Sequence, residues 1–319
     1  MDPSILLVPC TDQEKVKEIY DEYGVVAITN VLTAEECDKV ITEGIEPFLP
    51  EGCNIDDPLT HHLASGVMNP YGVVGNGALF NKKLLETRTH PNILLSYQTL
   101  YGTTVHPIAQ HDRFAWMRPS ATHPEYATPF SYPGIHLDIS PLGHYDPDYA
   151  GEVNKYLSQL TYANTRDFIG ENNASSVTYG RRVQGVLNLL DNDDEDGGFH
   201  CIPKMFDGKM EEWIKENASH MPPKEANGKY VFTSYDVLDD ITIRVPCPKG
   251  TLLLFDATLP HGTMPNRSFN SRLILFMRYI PLEDLPKKVQ LNRKNALIKE
   301  CQKAKLDITP EISKALFGI

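Results

Sequence analysis

The sequence lacks any apolar run close to the length, about 18 residues, that a membrane-spanning helix needs. Residues 1–10 also lack the basic start and the longer apolar core of a secretory signal. The six cysteines lie far apart and form no CxxC pair, which argues against a disulfide framework or a zinc ribbon. We therefore expect an intracellular, cytoplasmic protein with reduced thiols and no membrane association.

Basic residues are also in short supply. The chain has 42 acidic and 30 basic residues, and its formal net charge is -12. The negative net charge repels the phosphate backbone of a nucleic acid, so we expect no nucleic-acid partner. No glycine-rich loop follows a predicted strand, which argues against a Rossmann or P-loop nucleotide site. A small-molecule substrate fits these exclusions, and the sequence leaves the oligomeric state open.

The chain does contain enough hydrophobic residues, 41%, for a sizeable core. Helical patterns occupy residues 11–23, 33–48, 92–101 and 205–218, and one or two short helices follow residue 284. Strands are predicted at 25–28, 181–190, 197–203, 241–245, 250–256 and 271–280, with an extended stretch over 103–118. Residues 50–80 are predicted as loop and 141–179 as an irregular insertion. This order predicts a mainly β fold with flanking helices: one domain over 1–319, with its core at 11–280 and a C-terminal helical extension at 284–319.

One short segment, Gly134–Ser140, carries the first chemical signal. His136 and Asp138 lie two residues apart on an extended segment, so their side chains point to the same side. A third metal ligand has to come from elsewhere in the chain, and His261 is the best candidate. Two histidines and one carboxylate, with the remaining positions open, are the arrangement used for non-haem Fe(II) in oxygenases. The other histidines near strands have no such spacing and are interpreted as structural: His106, His111 and His200.

Arg272 adds a requirement for an anion. It follows His261 by eleven residues and lies inside the apolar strand 271–280, which we expect to be next to the strand of His261. A buried guanidinium is costly without an anionic partner, and it holds a carboxylate through paired hydrogen bonds. A dicarboxylate that chelates iron at one end can reach Arg272 with the other, and 2-oxoglutarate has that length and chemistry. The alternative is a buried ion pair with an acidic residue.

These residues, in this order, resemble the phytanoyl-CoA dioxygenase-like family of Fe(II)/2-oxoglutarate oxygenases. The likeness covers residues 11–280 and includes three further motifs: Gly24–Glu36 as an N-terminal strand and helix, Leu189–Asp191 with Gly197–Pro203 as a central hairpin, and Asn266–Ser268. The sequence departs from the family in the long stretch 139–180. It also has Lys204 where a glycine often follows the proline of the hairpin.

The resemblance implies a double-stranded β-helix (jelly-roll, cupin-like) core that holds one iron. His136, Asp138 and His261 are then the metal ligands and the catalytic residues. Thr263 occupies the place of a hydroxyl residue that binds the far carboxylate of the co-substrate, together with Arg272. The implied cofactors are Fe(II), 2-oxoglutarate and O2. The implied reaction is hydroxylation of a small molecule, with release of succinate and CO2.

Several other polar residues keep two interpretations. Arg113 and Trp116 lie on an extended stretch before the site, where they either bind substrate or pack in the core. Gln184 and Asn188 share one face of their strand and either face the lumen or pair locally. The acidic run Asp191–Asp196 lacks the spacing of a calcium loop, so a solvated hairpin turn is favoured over a cation site.

Two rival functions remain open. A cupin-like isomerase, or a dioxygenase that uses no co-substrate, would keep the metal ligands and would not require Arg272. A non-catalytic binding protein would keep the fold alone, although a complete set of ligands is unexpected in such a protein. The identity of the substrate is also open, since an acyl-CoA, a natural product, an amino acid or a nucleoside would each suit these features.

Overall fold

The computed structural model of the chain describes residues 1–74, 80–110, 113–127, 135–137, 183–206, 209–216, 230–231, 241–284 and 287–317. Its strands are β1 (Leu7–Pro9), β2 (Val25–Thr29), β3 (Pro107–Gln110), β4 (Phe114–Met117), β5 (His136–Leu137), β6 (Val183–Asn188), β7 (Gly198–Cys201), β8 (Tyr230–Val231), β9 (Ile243–Arg244), β10 (Leu252–Asp256), β11 (His261–Met264) and β12 (Arg272–Pro281). Its α-helices are α1 (Gln13–Tyr23), α2 (Ala34–Lys39), α3 (Lys82–Arg88), α4 (Pro91–Tyr101), α5 (Lys209–Glu216), α6 (Lys287–Lys303) and α7 (Pro310–Phe317). None of the helices in these ranges is both long and apolar enough to cross a membrane.

The strands form two sheets. The first has seven strands in the order β1-β2-β10-β6-β12-β3, with β4 also paired to β12. The second has five strands in the order β8-β5-β11-β7-β9. Only the β1–β2 pair is parallel among the described strands, so these sheets are built almost entirely from antiparallel pairs. The architecture is therefore mixed, with two β-sheets at the centre and helices around them.

Local sequence signals account for the first helix. The side chain of Asp12 caps the N-terminus of α1 by accepting a hydrogen bond from the backbone. The apolar side chains Val16, Ile19 and Tyr20 lie on one face and are buried. Gly24 ends the helix with φ 74°, a conformation that favours glycine, and β2 begins at the next residue. The predicted helix and buried strand are both confirmed.

The second helix begins with a capping box. The Thr33 hydroxyl accepts from the backbone N–H of Glu36, and the Glu36 carboxylate accepts from the backbone N–H of Thr33 at 2.8 Å. After α2 the helical path continues as a π-helical segment, Val40–Ile45, and a short 3-10 turn, Glu46–Phe48. The predicted helical span of 33–48 is thus confirmed, with a change of helix type inside it.

The outer face of the seven-stranded sheet is covered by helices. On α4, the Tyr97 hydroxyl donates to the Met277 carbonyl at 2.7 Å, and the Tyr101 hydroxyl donates to the Tyr279 carbonyl at 2.8 Å. Gly185 of β6 lies against the Tyr97 hydroxyl, where a Cβ would clash. Because successive residues of a strand face opposite sides, Gly185 and Leu187 point to the helices and Gln184 and Asn188 point the other way.

The inner faces of the two sheets contact each other through aromatic side chains. The ring centroids of Phe255 on β10 and Phe199 on β7 are 4.6 Å apart. Phe255 also lies 4.7 Å from the ring of His261 on β11. Phe255, Phe199 and His261 are all buried, so they fix the spacing between the sheets. Two facing sheets suit the predicted β core, and the helices contribute more to the described fold than a mainly β architecture implies.

The predicted central hairpin is wrong. β6 pairs with β10 and β12 in the seven-stranded sheet, whereas β7 pairs with β11 and β9 in the five-stranded sheet. The chain therefore crosses between sheets over residues 189–197 instead of turning back on itself. Two glycines with positive φ, Gly197 (77°) and Gly198 (145°), redirect the backbone into β7.

Arg244 holds this crossover loop together. Its Nη2 donates to the backbone carbonyls of Asn192 at 2.7 Å and Asp193 at 2.6 Å, and its Nη1 contacts the Asp194 carboxylate at 2.9 Å. Asp196 is buried, and its carboxylate accepts from the backbone N–H of Asp193 at 2.7 Å. The acidic run is therefore a structured loop with exposed and buried carboxylates, and not the solvated hairpin turn that we predicted.

Three local predictions differ from the structure. The predicted loop over 50–80 contains a 3-10 helix, Pro58–Gly66, and the sequence analysis missed α3 altogether. The extended stretch over 103–118 is two strands, β3 and β4, which both pair with β12. The insertion predicted over 141–179 lies outside the described residues.

We expect Arg244→Met to lower the free energy of unfolding by about 2 to 3 kcal/mol, because it leaves several carbonyls of the crossover loop without their donor. Urea unfolding followed by circular dichroism measures this change. Arg267→Met is the matched control, since Arg267 is exposed, and it should change stability by less than about 0.5 kcal/mol. Equal midpoints for the two variants would show that Arg244 does not stabilise the loop.

Candidate metal and co-substrate site

His136 and His261 face each other across two paired strands. β5 runs antiparallel to β11, and His136 is the residue directly opposite His261. The centroids of the two imidazole rings lie 4.6 Å apart. Directly opposite residues of antiparallel strands project to the same face of the sheet. The structure thus brings together two histidines that are far apart in sequence, at positions where both can bind one metal ion.

The surroundings of His261 select one tautomer of its ring. His261 is 6% exposed, and its Nδ1 lies 2.9 Å from the Leu259 carbonyl oxygen. A carbonyl accepts only, so Nδ1 is the donor in this contact, and Nε2 is the nitrogen that a neutral ring can offer to a metal. Phe199 stacks on the ring at 5.5 Å, and Phe255 lies on another side. A neutral imidazole oriented through its other nitrogen in this way is typical of a metal ligand.

Asp138 lies outside the described residues, so the third ligand stays a prediction. Within the described ranges no group of three or more His, Cys, Asp or Glu side chains could hold a metal ion. His136 lies in β5, which ends one residue before Asp138. Two neutral imidazoles and one carboxylate fit Fe(II).

Arg272 is a buried cation that lacks a described carboxylate partner. It is the first residue of β12 and is only 3% exposed. Its Nη1 donates to the Met117 Sδ at 3.5 Å, and its Nε has no hydrogen-bond partner. Burial lowers the pKa of Arg272 to about 10, and among the described residues the ionisable groups that act on it are Cys247 and Arg244. The guanidinium is therefore still protonated at neutral pH, and its burial is costly unless an anion binds.

Arg272 and His261 lie on different sheets. β12 belongs to the seven-stranded sheet and β11 to the five-stranded sheet, so the prediction that Arg272 lies on the strand next to that of His261 is wrong. The intervening turn crosses between the sheets, as the loop between β6 and β7 does. Arg272 shares the inner face of its sheet with Met117, its direct partner on β4. It thus faces the sheet that carries the histidines, instead of lying beside them.

Thr263 is two residues after His261 on β11 and therefore shares its face of the strand. It is half-buried and lies directly opposite Phe199 of β7. Its hydroxyl is consequently placed on the inner side of the five-stranded sheet. This position is compatible with the predicted contact between the Thr263 hydroxyl and a carboxylate of the co-substrate.

Arg113 and Trp116 occupy opposite faces of their strand. The backbone carbonyl of Arg113 accepts from the N–H of Phe276, and the strand continues into β4. Trp116 pairs with Leu273, so it points away from the face of Arg272. The Trp116 side chain is fully buried, donates from Nε1 to the Ser271 hydroxyl at 3.0 Å, and packs edge-on against His61 at 4.6 Å. These contacts make Trp116 a packing residue, whereas Arg113 is half-buried on the inner side.

The inner face of the seven-stranded sheet carries several buried polar side chains among apolar ones. Gln184 and Asn188 are buried on this face, so of their two interpretations the structure favours the lumen. Asn188 lies opposite Ile274, and its amide is next to the weakly hydrogen-bonding thiol of Cys247. The sequence analysis missed Arg278, which lies six residues after Arg272 on the same strand. Side chains alternate between the two faces of a strand, so the even spacing of Arg272 and Arg278 predicts that both lie on the same face.

The other histidines lie elsewhere. His200 is buried on β7 next to Cys201, so it faces away from the side of His261. The His106 Nε2 lies 3.0 Å from the carbonyl oxygen of Lys314, at the start of the contact between β3 and α7. His111 lies outside the described residues.

No family model matches the chain. A curated protein from Dictyostelium discoideum, named "Putative phytanoyl-CoA dioxygenase", is 28% identical over 313 residues, which is 95% of this chain and 86% of that protein. The chain resembles the phytanoyl-CoA dioxygenase-like family. The resemblance inferred from the motifs is therefore confirmed, and it extends over 95% of this chain.

Two crystal structures with low sequence identity share the fold. GIG2 (GlcNAc Inducible Gene 2) from Candida albicans aligns with a TM-score of 0.64 at 16% identity, over 99% of this chain and 76% of that chain. A "Putative Oxidoreductase" from Salmonella typhimurium aligns with a TM-score of 0.54 at 13% identity, over 94% of this chain and 78% of that chain. At these identities the likeness concerns the fold alone.

We expect His136→Ala and His261→Ala each to weaken Fe(II) binding by at least about 100-fold, because loss of a direct ligand costs at least as much as loss of its outer partner. Equilibrium dialysis under anaerobic conditions, followed by metal analysis, measures the affinity. The control is His62→Ala, which removes an exposed histidine and should bind iron like the unmodified chain. Unchanged affinity in both variants would rule out this metal centre.

Proposed function

We propose that this phytanoyl-CoA dioxygenase-like protein is an Fe(II)- and 2-oxoglutarate-dependent dioxygenase. It hydroxylates a small molecule and releases succinate and CO2. The observation that carries the proposal is the buried guanidinium of Arg272, which has no described carboxylate near it. It lies on the inner face of one sheet, and His136 and His261 lie opposite each other on the sheet that packs against it.

His136, Asp138 and His261 would hold the iron, and Arg272 would bind the far carboxylate of 2-oxoglutarate with the help of Thr263. When bound, the iron and the keto acid supply the oxidising chemistry, and the protein positions and shields it. Phe199 and Phe255 pack against His261 and keep water from that side of the metal ligand. The Leu259 carbonyl keeps the proton on Nδ1 of His261, so that Nε2 remains a donor to the metal.

The proposal includes a double-stranded β-helix core. Two almost entirely antiparallel sheets of seven and five strands, joined by loops that cross between them, support this fold. Both the loop from β6 to β7 and the turn from β11 to β12 cross in this way.

Arg272 favours this function over both rivals. A metal enzyme that uses no co-substrate gives no reason to bury a guanidinium in an apolar strand. A binding protein without catalysis gives no reason for the metal-ligand geometry of His261. An anionic co-substrate accounts for both features, because it offsets the charge of Arg272 and completes the coordination of the iron.

We expect Arg272→Met to weaken 2-oxoglutarate binding by at least about 30-fold, which corresponds to about 2 kcal/mol for a lost buried ion pair. Calorimetric titration of the Mn(II)-loaded chain measures binding without turnover. Succinate formation by the Fe(II)-loaded chain measures activity and should fall in parallel at a limiting concentration of 2-oxoglutarate.

The matched control is Arg267→Met, which removes an exposed arginine from the turn before β12. It should leave both measurements unchanged. The proposal fails if Arg272→Met binds 2-oxoglutarate as tightly as the control. Retained metal binding in Arg272→Met would show that the loss concerns the co-substrate and not the fold.

A further inference from the structure

Asn188 is a buried amide whose hydrogen bonding is incomplete. It lies on the inner face of the seven-stranded sheet and is 1% exposed. Neither its Nδ2 nor its Oδ1 has a hydrogen-bond partner among the described residues. The thiol of Cys247, which lies next to the amide, is only a weak hydrogen-bonding group. Leaving a buried amide unpaired is costly, which indicates that a bound molecule completes the hydrogen bonding of Asn188.

Thr251 adds a second unpaired group directly opposite Asn188. The backbone N–H of Asn188 donates to the Thr251 carbonyl at 2.9 Å. The next pair along these two strands is Leu252 with Leu187. Leu187 points to the helices, so the alternation of side chains places Thr251 on the inner face. Thr251 is completely buried, and its Oγ1 has no hydrogen-bond partner within the described ranges.

Arg272 is a diagonal neighbour of Asn188. Asn188 lies directly opposite Ile274 on β12, and Arg272 precedes Ile274 by two residues on the same face. Diagonal neighbours in an antiparallel sheet lie about 7 to 8 Å apart, within the reach of long side chains. The Arg272 Nε is also without a partner among the residues that the structure describes. Arg272, Asn188 and Thr251 thus form an anchor cluster, in which each side chain has an unpaired donor.

The donors of the anchor cluster fit a carboxylate. The two oxygens of a carboxylate accept about four hydrogen bonds, and the cluster offers guanidinium, amide and hydroxyl donors. The cluster also carries a positive charge at neutral pH, since Arg272 is protonated there. Burial raises the pKa of the neighbouring Cys247 thiol to about 11, so this thiol is neutral and does not offset the charge. An anion with two acceptor oxygens would satisfy both the charge and the hydrogen bonds.

We propose that Asn188 and Thr251 bind the far carboxylate of the co-substrate together with Arg272, and so select a dicarboxylic over a monocarboxylic 2-oxo acid. This inference rests on the proposed function and adds two residues to the contacts of Arg272 and Thr263. Asn188 donates from Nδ2 and Thr251 from its hydroxyl, while Arg272 supplies the charge. Two neutral donors orient the carboxylate without the desolvation cost of a second buried cation.

Two 2-oxo acids that differ at their far end test the proposal. 2-Oxoglutarate and 2-oxopentanoate both have five carbons, and only the first has the far carboxylate. Calorimetric titration of the Mn(II)-loaded chain measures both affinities without turnover. We expect Asn188→Leu and Thr251→Val each to weaken 2-oxoglutarate binding at least about tenfold, equivalent to about 1.4 kcal/mol, because each removes a hydrogen bond to a charged group. Binding of 2-oxopentanoate should be unchanged, since its methyl end makes no such bond.

Asn188→Asp tests the contact with Arg272 directly. A carboxylate at position 188 would pair with the guanidinium and repel the far carboxylate of the co-substrate. We expect this variant to lose 2-oxoglutarate binding, to retain 2-oxopentanoate binding and to unfold at a higher temperature than the unmodified chain. Thr42→Val is the matched control for Thr251→Val, because Thr42 is exposed, and it should bind both acids normally.

The outcomes separate this inference from the proposed function. Normal 2-oxoglutarate binding by Asn188→Leu and Thr251→Val, with loss of binding in Arg272→Met, would overturn the inference and leave the proposed function intact. Equal weakening of both acids in Asn188→Leu would also overturn it, because the effect would then arise from the fold or the metal site. If the unmodified chain binds no 2-oxoglutarate, the proposed function fails and the inference falls with it.

Discussion

The contact of Phe255 with Phe199 and His261 is the interaction on which the site depends, because it joins the two sheets. Phe255 belongs to the seven-stranded sheet, and the other two residues belong to the five-stranded sheet. Close packing of these rings fixes the distance between a face that carries buried arginines and a face that carries paired histidines. A cation on one sheet and potential metal ligands on the other then border the same interior, which is an arrangement that neither sheet provides alone.

The polar character of this interior opposes stability. A fold selected for stability alone would fill the inner face with apolar side chains, as the outer face does beneath α4. Instead, the inner face carries Arg272, Arg278, Gln184 and Asn188, all of them buried. Burying each of them costs desolvation free energy, and polar atoms of Arg272, Gln184 and Asn188 have no hydrogen-bond partner among the described residues. Such groups are expected where ligands complete the hydrogen bonding, so function explains a feature that packing does not.

Much of the local structure was predictable from the sequence. The first helix, its glycine terminus, the capping box at Thr33 and the apolar strands β2, β10 and β12 follow from signals within a few residues. The sequence analysis treated the segment around His136 as extended, and β5 confirms this at His136–Leu137. The 3-10 helix Pro58–Gly66 and α3 were missed, because their stabilising contacts come from other parts of the chain and leave weak periodicity.

The sequence alone determined the residue types of the site and the order of its motifs, because ligand chemistry depends on side-chain identity and short spacings. Tertiary structure decided which strands pair, since pairing partners depend on contacts between distant segments. It determined that His136 lies opposite His261 and that β6 and β7 belong to different sheets. It also determined that Trp116 lies on the face of its sheet that points away from the space between the two sheets. It also revealed Arg278 beside Gln184, because only the register between strands shows which alternate residues share a buried face.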